Sequence, residues 1–321
     1  MKAIVQDAYG SGDVLHLEET GPPTPSSDEV LVRVHAAGVD PGVWHLTTGR
    51  PYMVRLMGFG LRTPKSRVPG MAFAGEIEAV GSDVTDFSVG DRVFGAGTGT
   101  FAEYARAKAS MIAVMPDSIT FESAAAAPVS AVTALQGLRD AGHLTAGQRV
   151  LVIGAGGGVG SFAVQIAHHL GAHVTGVCRT AKVDLVRTLG ADEVIDYTTQ
   201  EIAGGPYDLV LDTAGNRSLS VLRRLLTEHG TLVLVGGEGG DSLLGGFDRQ
   251  LRAAILSPMV GQTLKPLMAK DSTADLQAIA DLMAQGAIVP VIDRAFPLAQ
   301  AAEAIDYVHA AGPAGKVVLT V

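Results

Sequence analysis

Cysteine is almost absent from this 321-residue chain: there is one, Cys178, and a single tryptophan. One cysteine excludes an intrachain disulfide framework and any zinc lobe built from four cysteines. Long apolar runs are also missing. Mean hydropathy is +0.28, yet no stretch of 18 apolar residues escapes interruption by glycines or charges, so no membrane-spanning helix is expected. The opening residues Met1 to Asp7 carry no apolar signal-peptide core, and a soluble, cytoplasmic protein is expected. Basic residues are outnumbered, 24 Lys and Arg against 33 Asp and Glu, for a net charge of -9. That balance argues against nucleic acid or an anionic membrane as partner. Hydrophobic residues make up 47% and charged residues 18%, a composition that can bury the cores of two domains at this length.

What is present is organised around Arg149 to Leu170. Val150 to Ile153 form a short, wholly apolar run, the pattern of a strand buried on both faces of a parallel sheet. Gly154, Gly156, Gly157, Gly158 and Gly160 follow, and then Phe162, Ala163, Ile166, Ala167 and Leu170 recur at helical spacing until Gly171. A strand, a glycine turn and a helix together let main-chain N–H groups approach a pyrophosphate that the helix N-terminus stabilises. The spacing is not Gly-x-Gly-x-x-Gly, because position 159 is Val; it reads Gly-Ala-x-Gly-Gly-Val-Gly. Gly157, Gly158, Val159 and Gly160 are therefore candidate cofactor-binding residues. A second strand (173–178), a second helix (182–189) and a third strand (193–195) complete a βαβαβ unit. Tyr207 to Asp212 and Thr231 to Val235 supply two more strands. After the last of them, Gly236-Gly-Glu-Gly-Gly240 marks another close approach of backbone to ligand, through Gly236 and Gly237. The fold class is α/β, with a doubly wound, Rossmann-type parallel sheet.

Residues 1 to about 115 read differently. Short strands at 30–35, 72–80 and 92–94, punctuated by Gly, Pro, Asp and Ser, suggest a small, partly closed β-barrel. Between Pro41 and Gly75 there is no Asp or Glu, but there are Arg50, Arg55, Arg62, Lys65 and Arg67. Such a segment is either a solvated loop or a lip that attracts an anionic cofactor or substrate. Met53, Leu56, Met57, Phe59 and Leu61 between the charges could also line an apolar pocket. A helix starts after Thr120 as N-cap, with Glu122 in its first turn. Helices at 276–285 and 298–308 lead to a final strand, 316–321, expected to return to the first domain. The division expected is 1–120, 121–260 and a returning segment 261–321.

Five segments carry a family resemblance: Ala36-Ala-Gly-Val-Asp-Pro41, Pro69 to Gly81, Val89-Gly-Asp-Arg-Val-Phe94, Leu189 to Tyr197, and Gly315-Lys-Val-Val-Leu319. In this order, across nearly the whole length, they resemble a medium-chain dehydrogenase/reductase of the zinc-less, zeta-crystallin-like quinone oxidoreductase branch. The resemblance implies a GroES-like catalytic domain beside the Rossmann domain, an active site in the cleft between them, and a homodimer. It also implies where zinc should be sought. The cysteine that follows Ala-x-Gly-Val in the zinc enzymes is Asp40 here, and their Gly-His-Glu reads Gly70-Met71-Ala72. With neither thiolate nor paired imidazoles at these positions, no zinc is expected.

The cofactor expected is NADPH. NAD-selective sites place an acid at the end of the second strand, where this chain has Val177-Cys178-Arg179-Thr180 and then Lys182. Arg179 and Thr180 can both donate to a 2′-phosphate. Two contacts of roughly 1.5 kcal/mol would give about a 100-fold preference over NADH. Tyr197 resembles the family tyrosine that touches the same phosphate, Thr133 resembles a residue near the nicotinamide, and Lys316 of the last motif joins the cofactor set. For chemistry, Tyr52 resembles the active-site tyrosine of quinone oxidoreductases and is the first candidate proton donor. His45 falls at the proton-relay histidine of the zinc enzymes, although Gly42 replaces the relay hydroxyl. Asp40 stands where the family often has Asn. The expected activity is zinc-independent, NADPH-dependent reduction of a quinone or small α,β-unsaturated carbonyl by hydride transfer. The alternatives are an alcohol dehydrogenase or carbonyl reductase, and a non-catalytic NADPH-binding sensor.

Overall fold

The computed structural model describes residues 1–235 and 244–321; the expected approach at Gly236 and Gly237 lies outside them. The chain forms two compact units, residues 1–132 with 271–321, and residues 133–270.

The first unit is built on the long strand Glu29–Val39. It pairs antiparallel with Ala72–Val80, with Tyr104–Lys108 and with the last strand, Lys316–Thr320. Arg92–Ala96, Ile112–Val114 and Ile292–Pro297 complete a seven-stranded sheet, and Lys2–Val5 pairs with His16–Glu19 in a separate ribbon. The first half of Glu29–Val39 alternates, with Val30, Val32 and Val34 turned into the core, whereas Ala36 to Val39 are buried throughout. The change has a local cause. Helix Phe121–Ala126 lies on that half of the strand, so close that a Cβ on Gly38 would stand 2.6 Å from the Ala125 carbonyl oxygen. Only a face of small residues permits this approach, and Ala124 to Ala127 are fully buried. Thr120 caps the helix, its Oγ1 accepting from the Ser123 N–H at 3.3 Å.

The second unit is a six-stranded parallel sheet. Its order is Glu193–Asp196, His173–Cys178, Arg149–Ile153, Tyr207–Asp212, Leu226–Leu234, Thr263–Pro266. Numbered along the chain this is 3-2-1-4-5-6, the doubly wound arrangement. The topology reverses between the first and fourth strands, and a crevice at their carboxyl ends is the place such a sheet offers a ligand. Val150 to Ile153 and Leu209 to Leu211 are 0–1% exposed, because helices cover both faces. Helix Gly158–His169 is buried from Gly160 to Ala167, Ser161 and Gln165 included. Two helix-borne hydroxyl and amide groups therefore satisfy themselves on helix carbonyls: Ser161 Oγ donates to Gly158 O (3.0 Å) and Gln165 Nε2 to Ser161 O (3.0 Å). The sixth strand, Thr263–Pro266, carries a lysine and ends in a proline; it has neither an apolar run nor alternation to announce it.

Candidate active site

The glycine turn sits at the carboxyl end of the first strand of the second unit. Gly154 adopts a φ of +84°, a conformation an L side chain rarely takes. The N–H groups of Gly154 and Ala155 donate to the Val177 carbonyl at 3.1 and 3.0 Å, and that of Gly157 returns to Gly154 O at 2.9 Å. A Cβ on Gly160 would lie 2.0 Å from Gly154 O, so helix and turn are in backbone contact. Gly157 is the N-cap and brings no side chain to it. The N–H groups of Gly158, Val159 and Gly160, in the first turn, are beyond the reach of an intrahelical carbonyl and suit an anion. From the other side of the reversal, Thr213 Oγ1 donates to Ile153 O at 2.7 Å. Its loop is held in turn by Asp212, which is fully buried. One Asp212 oxygen accepts from the Ala214 and Gly215 N–H groups, 3.2 Å each, and the other from Arg249 Nη1 at 2.7 Å.

The ends of the second and third strands hold the other expected cofactor residues. Arg179 and Thr180 are exposed, and Tyr197 is 49% exposed with the Arg217 guanidinium 5.7 Å from its ring centre. Lys182 is buried to 8% exposure, and its stem packs on the glycine turn, where a Cβ on Gly156 would stand 2.7 Å from Lys182 Cδ. Thr180 differs from expectation. Its hydroxyl donates to Asp196 Oδ2 at 2.6 Å and lies 2.8 Å from Thr198 Oγ1, so its proton is committed within the protein. Asp196 also accepts from the Thr198 hydroxyl (2.7 Å) and N–H (3.0 Å). The hydrogen bonds of Thr180, then of Thr198, hold the Asp196 carboxyl below the usual range. Across the ladder, burial pushes the Cys178 thiol up, and the Asp196 charge adds to the effect, so the one cysteine stays a thiol at neutral pH. Thr133 is 9% exposed on helix Pro128–Gln136.

In the first unit, Lys316 and Asp40 find each other. The Lys316 ammonium donates to Asp40 Oδ1 and, at 2.9 Å, to Ser130 Oγ, which itself donates to Asp40 Oδ1 at 3.1 Å. Both charged side chains are 3% exposed. Lys316 was expected among the cofactor residues; its charge is instead spent on a carboxylate at the N-cap of helix Pro41–Thr48. Asp40 Oδ2 is buried without a hydrogen-bond partner among the described residues. His45, on the same helix, donates through Nδ1 to the Arg50 carbonyl at 2.8 Å. Tyr52 is 41% exposed. The Arg55 guanidinium lies between its ring and that of Tyr9, 4.8 and 4.3 Å from the two centres, while Arg55 Nε donates to Gly49 O at 2.9 Å. Tyr9 reaches over the loop to donate to Gly60 O at 2.6 Å. The basic segment also loses Arg67 as a free charge, since it meets Asp7 at 2.6 Å and Glu18 at 3.3 Å.

The chain as a whole is similar to known proteins. Residues 26–117 match the alcohol dehydrogenase GroES-like domain and residues 189–319 the zinc-binding dehydrogenase domain. The chloroplast envelope quinone oxidoreductase homolog of Arabidopsis thaliana is 33% identical over 95% of this chain and 93% of its own. The chain belongs to the quinone oxidoreductase family of medium-chain dehydrogenases/reductases. It is an oxidoreductase. Among solved structures it is similar to the quinone oxidoreductase from Coxiella burnetii, with a TM-score of 0.88, 26% identity, and 100% and 99% of the two chains covered. It is also similar to mycobacterial Rv1454c complexed with NADPH, with a TM-score of 0.84, 28% identity and both chains covered in full.

Within this family the zinc-binding description does not suit the donors found here. Asp40, at the position of the zinc enzymes' cysteine, is already neutralised by a lysine, and a metal cation there would have to displace the ammonium. Among the described residues no three His, Cys, Asp or Glu side chains converge as a metal cluster. Two site features escaped the reading of the residues. Asp196 followed two positions later by Thr198 is the pattern of a side-chain turn, and it could have been recognised. The Asp212–Arg249 pair, 37 residues apart, carries no local signal.

Proposed function

We propose that this quinone oxidoreductase-family chain uses NADPH, without zinc, to reduce quinones or small α,β-unsaturated carbonyls. The observation that carries the reading is the uncapped helix behind Gly154–Gly160 at the sheet reversal, with Arg179 and no acid at the end of the second strand. The dinucleotide, when bound, supplies the hydride. Main-chain N–H groups of residues 158–160 hold its pyrophosphate, and Arg179 pairs with the 2′-phosphate. With Thr180 engaged elsewhere, one charge-assisted contact of roughly 1.5 kcal/mol supports about a tenfold preference for NADPH rather than 100-fold. Tyr52, clamped by Arg55, donates a hydrogen bond to the substrate oxygen that gains charge. His45, held in one ring orientation by the Nδ1 bond to the Arg50 carbonyl, is the second candidate for proton exchange. Lys316 occupying Asp40 supports the absence of zinc. The NADPH complex of the mycobacterial relative supports the cofactor. A homodimer is supported by strand Thr263–Pro266, which ends the sheet among the described residues, and by exposed Leu251, Ile255 and Met259 beside it. Among the described residues no helix is long and apolar enough to cross a membrane, and a cytoplasmic location suits the free thiol of Cys178.

The test is NADPH oxidation against quinones, enones and aldehydes, with and without chelator and with NADH alongside. Quinone or enone turnover that prefers NADPH and ignores chelator is expected. Chelator-sensitive aldehyde turnover, or silence across the panel, would overturn the reading. Tyr52→Phe should lower turnover roughly tenfold or more with NADPH binding unchanged; equal turnover would remove Tyr52 from the reaction.

A further inference from the structure

We infer that Asp196 sets the dinucleotide preference of this chain, by withholding the Thr180 hydroxyl from a 2′-phosphate and by placing a negative charge beside it. The inference rests on the reading of the second unit as an NADP(H) site.

A count of protons carries it. Three oxygen–oxygen contacts join Thr180, Thr198 and Asp196, at 2.6, 2.7 and 2.8 Å, and the two hydroxyls supply only two protons. The carboxylate is the strongest acceptor present, and a charge-assisted bond to each of its oxygens uses both protons. Thr180 Oγ1 then turns only lone pairs to a ligand. A 2′-phosphate carries most of a double negative charge at neutral pH and needs donors, so lone pairs repel it. The ribose 2′-OH of NADH can donate to the same lone pairs. Thr180 therefore favours the cofactor that the neighbouring Arg179 does not.

The charge acts in the same direction. Asp196 pairs with Cys178 across the strand ladder, one residue before Arg179, and the residue is 9% exposed. The bonds from Thr180 and Thr198 keep it ionised at any pH near neutrality. An anion and a cation thus stand at the ends of neighbouring strands, and they oppose each other in reading the phosphate. Tyr197, immediately after Asp196, is exposed enough to contact a ligand held there.

Asparagine at this position reverses both effects with the same shape. Its oxygen can still accept from the Thr198 N–H and hydroxyl, while its amide nitrogen donates to Thr180 Oγ1 and releases the threonine proton outward. The experiment is titration of the full chain with NADPH and with NADH, followed by nicotinamide fluorescence, which needs no acceptor. Asp196→Asn should raise the NADPH-to-NADH affinity ratio on the order of tenfold at low ionic strength, and less at high salt where a unit charge near a phosphate is screened. Thr180→Val, an exposed and sterically mild change, should raise the ratio of the otherwise unaltered chain a few-fold and never lower it, because the lone pairs removed favoured NADH and its proton was never available to the phosphate. In the Asp196→Asn background the same change should remove part of the gain, a coupling that merely structural roles would not produce. A ratio unmoved or lowered by Asp196→Asn overturns the inference, as does a several-fold loss of NADPH preference in Thr180→Val alone. Binding of both dinucleotides with an unmoved ratio refutes the role of Asp196 only. Failure of the unaltered chain to bind either refutes the NADP(H) reading beneath it.

Discussion

The two units secure their site residues over different distances. In the second, the turn at 154–160 is tied by main-chain bonds to Val177 and to itself, and Asp196 is bonded by threonines 16 and 2 residues away. In the first, Asp40 meets a lysine 276 residues further on, and Tyr52 rests on Arg55, which rests on Tyr9. A backbone-built site tolerates many side-chain changes but no added Cβ. A site built from side chains tolerates none of its partners' removal. The contrast concerns mechanism of support, and single substitutions can break it.

The largest effect is expected where a buried charge would be left alone. Lys316→Ala leaves the Asp40 carboxylate 3% exposed and unpaired, which should cost about 3–5 kcal/mol in denaturant unfolding. Adding Asp40→Asn should recover most of that loss. A cost below about 1 kcal/mol would mean that water reaches the pair, and the contrast between the units would fall. Gly160→Ala comes next. Its Cβ would press on Gly154 O, a backbone atom that cannot rotate away. A loss of about 1–3 kcal/mol is expected from overpacking, accompanied by an NADPH affinity lowered roughly 10–100-fold at the displaced N–H groups. Unchanged affinity would detach the pyrophosphate from this turn. The smallest change is Arg55→Ala. Each ring contact is worth roughly 0.5–1 kcal/mol at an exposed position. Stability should therefore fall by about 1 kcal/mol while quinone turnover falls several-fold at constant NADPH affinity, and Arg55→Lys should sit between. Equal losses in turnover and cofactor binding would make Arg55 a prop of the whole unit rather than of Tyr52.

How much of this could be read from residues follows the same division. Val150 to Ile153, the glycines and the helical spacing after them are all local, and the strand–turn–helix they announce is present as read. The strands at 173–178 and 207–212 coincide with the observed ones for the same reason. Thr263–Pro266 was not legible, because a four-residue edge strand with a lysine and a proline has no period to detect. The basic segment between Pro41 and Gly75 shows the limit from the other side. The acids that meet Arg67, Asp7 and Glu18, come from the opening strands and their connection, so one of the five local charges is not a surplus in space. Thr180 was legible as a hydroxyl in the right place but not as a hydroxyl already bonded.

By itself, then, the amino-acid order determined the parallel sheet, the strand–turn–helix built on the glycines, the absence of the zinc enzymes' cysteine and the arginine that can favour a 2′-phosphate. Each depends on periodicity or on which atoms a residue lacks, and these act within a few positions. Only the tertiary structure decided that Lys316 goes to Asp40, Arg249 to Asp212 and the Thr180 proton to Asp196. Those pairings depend on strand register and on which elements become neighbours, and a hydrogen bond's strength falls away within less than one residue's length of misplacement.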